Sequence, residues 1–265
     1  MTGPTDSKSE TARRFYDATA VAAQDFSFMN YGYAPPGAMP AAGSEGYCLA
    51  LYRHLLDGAD LSGRRVLEVS CGRGGGAAEI AAGSEPAEFV GLDFSAQNIE
   101  IARRRFAHVK GLSFQVGRAE ELPFAPASFD VAINVEASHL YDDPARFFAE
   151  VFRVLRPQGR FFYADLFWRN GDPVQLLRDA GFSIVREEDI TEDVLRALDL
   201  DSERREQIVS GSIPEAMQHD YRNWSGVKGY RAYNRFASRE WVYRAFVAER
   251  SAHGAHGAHG APVDR

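Results

Sequence analysis

The side chains with chemistry in them stand beside a run of small residues. In VLEVSCGRGGG (66–76) an apolar stretch carries one acid, Glu68, and then gives way to Gly72, Gly74, Gly75 and Gly76. Such glycines permit a sharp turn and let a ligand approach the backbone closely. Asp93 closes the next apolar run, at about the spacing where an acid grips ribose hydroxyls. Further along, Glu136 and His139 share the stretch NVEASHLY, and YADL supplies Asp165. An imidazole titrates near neutrality, which suits a general base. Glu136 lies three residues before His139 and would share a face with it if that turn is helical. Asp165 is expected beside His139, orienting the ring and stabilising its protonated form.

Two ligands fit a glycine turn of this kind. The segment Gly72-Arg73-Gly74-Gly75-Gly76-Ala77 satisfies G-x-G-x-x-[GA], so a nicotinamide-dependent oxidoreductase competes. Glu68 separates the two readings, because a carboxylate beside the turn repels a pyrophosphate. It favours a cationic ligand instead. S-adenosylmethionine carries an ammonium, a sulfonium and a ribose for Asp93, and no phosphate.

These residues need a frame. Short β-rich runs at 65–70, 88–94, 112–118, 129–136, 160–167 and 182–190 alternate with amphipathic segments such as 95–109 and 143–155. That rhythm predicts a parallel sheet covered by helices, with ligands outside the carboxyl ends of the strands. Ser95 is a good N-cap, and Pro157 with Gly159 stops the second helix. The first 14 or so residues read as a frayed polar tail, and the Pro- and Gly-rich stretch 31–40 breaks a helical N-terminal region. The predicted organisation is a tail and helical lid over 1–60, a core over 61–250 with a cap at about 205–235, and a disordered tail over 251–265. His253, His256 and His259 recur in that tail and read as solvated.

Four segments in order, VLEVSCGRGGG, FVGLDFS, GRAEELPFAPASFDVAINVEASHLY and VLRPQGRFFYADL, resemble the class I S-adenosylmethionine-dependent methyltransferases. More narrowly the chain is similar to the small-molecule group typified by phthiotriol dimycocerosate methyltransferases and antibiotic-tailoring enzymes. The resemblance implies an α/β, Rossmann-like fold: a seven-stranded, mostly parallel sheet with helices on both faces, an antiparallel last strand, an N-terminal lid and a cap before that strand. It places Glu68 toward the methionine ammonium, Gly72 and Gly74 under the methionine and ribose, Asp93 on the ribose hydroxyls and Phe94 on an adenine face. Arg118 and Ala119 fall at the adenine edge, Asn134 lies beneath the cofactor, and Ser70, Gln97 and Glu120 complete the set. Two residues depart from the family pattern. Ser70 replaces a usual glycine. Arg118 stands where many members have Asp, and arginine cannot accept a hydrogen bond. Either Glu120 or a backbone carbonyl reads the adenine amino group, or stacking does the reading, with the Ala119 N–H free to donate.

Aromatic residues suggest the acceptor's shape. Phe26, Phe28, Tyr31 and Tyr33 crowd the lid, Trp168 follows the fifth strand, and Tyr221, Trp224, Tyr230 and Tyr233 crowd the cap. With Glu136 they would line an apolar, partly hydrogen-bonding pocket. The expected reaction is in-line methyl transfer to a hydroxyl of a hydrophobic natural product, with His139 as base. Nitrogen or carbon acceptors fit the fold equally. Arg118 is the one feature that favours a binding scaffold without turnover.

The whole chain limits the rest. It has 265 residues, 45% of them hydrophobic, and a formal net charge of -7. Such an acidic balance argues against a nucleic-acid partner. No apolar run approaches the roughly 18 residues of a membrane span, and the start MTGPTDSKSE has no apolar signal core, which predicts a cytoplasmic protein. Two cysteines make no disulfide framework, and no metal-binding spacing occurs, so no metal is expected. The expected partner is a small-molecule acceptor, with a homodimer left open.

Overall fold

The computed structural model describes residues 7–22, 26–38 and 45–251. The tail histidines lie outside them. Helices α1 (Lys8–Ala22) and α2 (Gly46–Leu55) precede β1 (Arg65–Val69), α3 (Gly75–Ser84), β2 (Glu88–Asp93), α4 (Ala96–Arg105), β3 (Leu112–Val116) and β4 (Phe129–Val135). A 3-10 turn (Ser138–Leu140), α5 (Pro144–Val154), β5 (Leu155–Trp168), α6 (Pro173–Asp179) and β6 (Phe182–Asp189) follow. The chain then runs through α7 (Thr191–Ser212), α8 (Glu215–Ser225), α9 (Arg231–Ala237) and β7 (Trp241–Arg250).

Seven strands form one sheet in the order β3-β2-β1-β4-β5-β7-β6. The β1–β2, β1–β4, β2–β3 and β4–β5 pairs are parallel, while β7 runs antiparallel to both β5 and β6. The central strands are near-continuous apolar runs because helices cover both faces. Leu67, Val69, Phe129 and Ala132 face one buried layer, and Val66, Val131, Ile133 and Phe162 face the other. Edge strand β6 instead alternates half-buried and exposed positions after Phe182. The chain leaves β1 toward β3 on one side and resumes at β4 on the other, which opens a crevice at the carboxyl ends of β1 and β4.

Caps fix the helix starts near that crevice. Ser95 Oγ accepts the Asn98 N–H at 3.1 Å, and Asp143 caps α5 with Pro144 in its first turn. Three boundaries differ from the sequence expectation. Helix α1 already begins at Lys8, because Ser9 binds Asp142 through Oγ at 2.5 Å, which anchors the polar start. Strand β5 begins at Leu155, before Pro157 and Gly159, so those residues sit within a strand. The stretch expected to form a cap from about 205 begins within α7, one continuous helix of 22 residues that starts at Thr191. Its charged sequence had concealed a helix stabilised by tertiary packing.

Candidate active site

The turn after β1 holds its shape through hydrogen bonds from three segments. Ser70 takes φ 58 and Gly72 φ 56, both in the left-handed region. Ser70 replaces the usual glycine at a cost of about 1–2 kcal/mol, and its Oγ is 2.6 Å from Tyr141 Oη. The Gly72 N–H donates to Asp93 Oδ2 at 2.9 Å, and the Ser95 N–H donates to Oδ1 at 2.9 Å. Asp93 therefore ties the end of β1 to the start of α4. Burial pushes its carboxyl up to about 6. A Cβ on Gly72 would meet Met29 Cε alone, so its backbone is bare except for a flexible side-chain end. At Gly74 a Cβ would strike Phe114 at 2.6 Å, so that glycine serves packing between α3 and the sheet.

Above this turn lies a cavity with about 910 Å³ of space unfilled by protein atoms, counting its open mouth. Ser70, Gly72, Asp93, Phe94, Arg118, Ala119, Glu120 and Glu136 all line it. Helix α1 closes the far side with Ser9, Arg13 and Tyr16. The Arg118 guanidinium stacks 4.5 Å over the Phe94 ring and lies 3.7 Å from Asp142. It covers the ring face that the resemblance gave to adenine.

Other predicted cofactor residues stand back from this cavity. Glu68 does not line it, because Tyr52 from α2 comes between them and donates its hydroxyl to Oε1 at 2.7 Å. Burial pushes the Glu68 carboxyl up to about 8, which favours its protonated form near neutrality. Asp93 is the acid that lines the cavity beside the glycine turn. Glu68 Oε2 is buried without a hydrogen bond among the described residues. Gln97 is exposed, and its neighbour Asn98 lines the cavity and reaches Asp93 Oδ1 at 3.4 Å. Asn134 is fully buried and donates to the Val69 carbonyl at 2.8 Å and to Tyr141 Oη at 2.9 Å. It braces the wall without facing the cavity. Tyr52, Tyr141 and Asn98 were not singled out in the sequence. Their roles follow from strand and helix contacts that spacing does not reveal.

The turn after β4 carries the acid–base groups. His139 Nδ1 is 2.7 Å from Asp165 Oδ1, and the His139 N–H donates to Asp165 Oδ2 at 3.1 Å. Ser138 Oγ and the Leu166 N–H also donate to that carboxylate, at 2.6 and 2.8 Å. With its Nδ1 facing Asp165, the ring keeps Nε2 available. Its side chain is 23% exposed, whereas that of Asp165 is fully buried. Neither residue lines the cavity, but Glu136, Ala137 and Leu140 of the same stretch do. Glu136 takes φ 53, and its Oε2 accepts the Tyr31 N–H at 2.9 Å and the Tyr243 hydroxyl at 3.0 Å. Burial pushes this carboxyl up to about 8.

The aromatic residues divide. Phe26, Phe28 and Tyr31 of the lid meet Tyr221 and Trp224 of the cap around a second cavity of about 460 Å³. Phe28, Met29 and Asn30 line both cavities and so form the wall between them. The remaining candidates belong to neither. Tyr33 stacks on His54 at 4.1 Å, and Tyr233 donates to Asp199 at 2.8 Å. Tyr230 caps α9 under the Arg222 guanidinium at 6.0 Å. Trp168 is 55% exposed, with Arg235 at 4.9 Å over its ring. Aromatic type alone did not separate packing from lining.

The donor set suits a phosphate-free nucleoside: a buried carboxylate at a strand end, a bare glycine backbone and an aromatic ring. Comparison with known proteins agrees. A model described as "Methyltransferase domain" matches residues 67–163. The chain is 36% identical over 229 residues to a phthiotriol/phenolphthiotriol dimycocerosates methyltransferase of Mycobacterium leprae, covering 84% of each chain. It is also 36% identical to a fatty-acid O-methyltransferase of Mycolicibacterium smegmatis, covering 84% of this chain and 82% of that one. Among solved structures, the [4+2]-cyclase SpnF superposes with a TM-score of 0.75 at 20% identity, covering 94% of this chain and 98% of that chain. Geranyl diphosphate C-methyltransferase from Streptomyces coelicolor, solved with S-adenosyl-L-homocysteine, superposes with a TM-score of 0.69 at 17% identity, covering 94% and 100%. These two likenesses concern the fold.

Proposed function

Since this chain belongs to the class I S-adenosylmethionine-dependent methyltransferases of the small-molecule group, we propose that it methylates a hydroxyl of a lipophilic small molecule, with His139 as general base. The observation that carries this reading is the His139–Asp165 pair at 2.7 Å, on the turn whose neighbours line the larger cavity. The relatives' names, one a fatty-acid O-methyltransferase and one acting on phthiotriols, agree with an oxygen acceptor on an apolar body.

When bound, S-adenosylmethionine supplies an electrophilic methyl whose sulfur departs as a neutral thioether, so no acid is needed at the leaving group. Asp93 would hold the ribose, the Gly72 backbone would lie beneath the methionine, and Phe94 with Ala119 would face the adenine. Asp165 accepts the Nδ1–H of His139, which fixes the tautomer and leaves Nε2 to take the hydroxyl proton. The same carboxylate then stabilises the imidazolium and does not itself become protonated. Helix α1 and the Ser27–Asn30 segment line this cavity and would keep water from the methyl. A positioned base of this kind contributes about 10²–10⁴-fold.

The test is transfer of a radiolabelled methyl to a panel of long-chain alcohols, hydroxy acids and fatty acids, with alkaline treatment of the product. The expected product is an alkali-stable ether, and His139→Ala is expected to lower kcat by at least about 100-fold. An alkali-labile methyl ester, with a loss below about 10-fold in that variant, would point to a carboxylate acceptor that needs no base.

A further inference from the structure

Of the acid–base groups around the turn after β4, Glu136 lines the larger cavity, whereas His139 and Asp165 do not. Its backbone takes φ 53 and is fixed there by its own N–H, which donates to the Ala164 carbonyl at 2.7 Å. A glycine would adopt this turn without strain. A large side chain therefore stands here at a cost, of the kind that gathers at functional sites. Fastening the lid accounts for half of the carboxyl. Oε2 accepts the Tyr31 N–H at 2.9 Å and the Tyr243 hydroxyl at 3.0 Å, and so ties the lid segment to β7. Oε1 takes no part in that tie. It makes no hydrogen bond among the described residues and, unlike Glu68 Oε2, it is not sealed in the interior, so it opens onto the cavity. An oxygen in such a wall lacks one partner.

Chemistry narrows what that partner is. Burial pushes this carboxyl up to about 8, so near neutrality Oε1 can present a proton or a lone pair. A hydroxyl pairs with either, since it both donates and accepts; a carbonyl or carboxylate only accepts, and an ammonium only donates. The oxygen that receives the methyl is a poor match. A carboxylic acid donating to it would draw charge from the nucleophile, and a carboxylate would compete with His139 for its proton. The two side chains are also held by different elements, His139 by Asp165 of β5 and Glu136 by Tyr243 of β7.

We propose that Glu136 Oε1 hydrogen-bonds a second hydroxyl of the acceptor, so that the preferred substrate class is a lipophilic diol of which the other oxygen is methylated. This rests on the methyltransferase reading above. The apolar body of such a molecule passes the Phe28–Asn30 wall into the second cavity, among Phe26, Ile208, Tyr221 and Trp224. Arg204 and Arg205 of that cavity already bind Asp201, at 2.6 and 3.0 Å, so the chamber suits an uncharged chain.

The probes are dodecane-1,2-diol, dodecan-1-ol and 2-aminododecan-1-ol, titrated into the full chain saturated with S-adenosylhomocysteine. Binding is read by the fluorescence of Trp224, with Trp224→Phe identifying its signal against Trp168 and Trp241. The diol is expected to bind at least about fivefold more tightly than dodecan-1-ol, as one more hydrogen bond would give. Glu136→Leu is expected to erase that preference. Glu136→Gln keeps an oxygen for Tyr31 and Tyr243 and turns its amide N–H toward the cavity. It is expected to keep most of the diol preference but to lose at least about 10-fold in affinity for 2-aminododecan-1-ol, whose ammonium needs an acceptor. A carboxyl that only fastened the lid would move all three affinities together. Should Glu136→Leu fail to fold, Glu136→Gln decides alone. Equal affinity of the wild type for diol and alcohol, a diol preference that survives Glu136→Leu, unchanged binding of 2-aminododecan-1-ol by Glu136→Gln, or no binding of any probe overturns the proposal. Calorimetry with S-adenosylhomocysteine alone comes first. Failure of that ligand to bind would count against the methyltransferase reading, and the probes would then go into the ligand-free chain, where the Glu136 comparison still stands.

Discussion

The two cavities are built differently. The larger one is made at strand ends, where segments are joined by short hydrogen bonds: the Gly72 and Ser95 N–H groups donate to the Asp93 carboxylate, and the Glu136 N–H donates to the Ala164 carbonyl. Its floor is inherited from the sheet, while helix α1 and the Ser27–Asn30 segment close it from the other side. The smaller one is made by helix side chains from α2, α7 and α8, together with the lid segment. Residues there can change while the sheet stays as it is. A scaffold divided in this way can keep one cofactor and vary its acceptor.

The contrast breaks first at Asp93. If the larger cavity depends on strand-end links, Asp93→Ala should weaken S-adenosylhomocysteine binding by at least about 100-fold in calorimetry, since it strands two backbone donors and removes the proposed ribose ligand. A loss under about fivefold would mean that the links are incidental.

A smaller effect follows from the buried acids. Burial holds Glu68 at about 8 and Asp93 at about 6, both above their ordinary values of 4.5 and 3.8. The folded chain thus keeps protons that the unfolded chain has released, so the contribution of these two groups is full below about pH 4 and is lost as pH rises to about 8. Each such proton contributes a slope of at most about 1.4 kcal/mol per pH unit. Thermal melts without ligand should show this contribution as Tm falling between about pH 4.5 and pH 8, and Glu68→Gln should flatten the fall by about 2–4 °C per kcal/mol recovered. An identical slope in that variant would place the titration elsewhere.

The smallest effect is expected at Arg118. Its guanidinium lies over Phe94 but is 45% exposed and shared with Asp142 and Glu120. Exposed pairs of this kind contribute little. Arg118→Gln should change S-adenosylhomocysteine affinity by no more than about threefold, because an adenine can replace the guanidinium on the ring. A larger loss would make Arg118 a true adenine ligand.

What could be read from the sequence follows the same division. The strands appear as apolar runs because both sheet faces are covered, and the glycine turn and Asp93 appear because backbone geometry demands particular residue types. His139 and Asp165 could be paired because one follows β4 and the other lies near the carboxyl end of its parallel neighbour β5. The acceptor side was less legible. Tyr33 and Tyr31 are two residues apart, yet one stacks on His54 and the other lines the second cavity. Tyr52 shields Glu68 from 16 positions earlier in the chain. The cap's long helix hides because charged residues fill its exposed face. Its buried positions are few and are set by partners distant in sequence.

The most direct test of the central claim, two chambers for two ligands, is to titrate dodecan-1-ol into protein saturated with S-adenosylhomocysteine while following Trp224 fluorescence. The account predicts a ternary complex, with one equivalent of each ligand bound and affinity for the alcohol within about twofold of that in the empty protein. Displacement of the nucleoside by the alcohol, or loss of alcohol binding once the nucleoside is present, would contradict it.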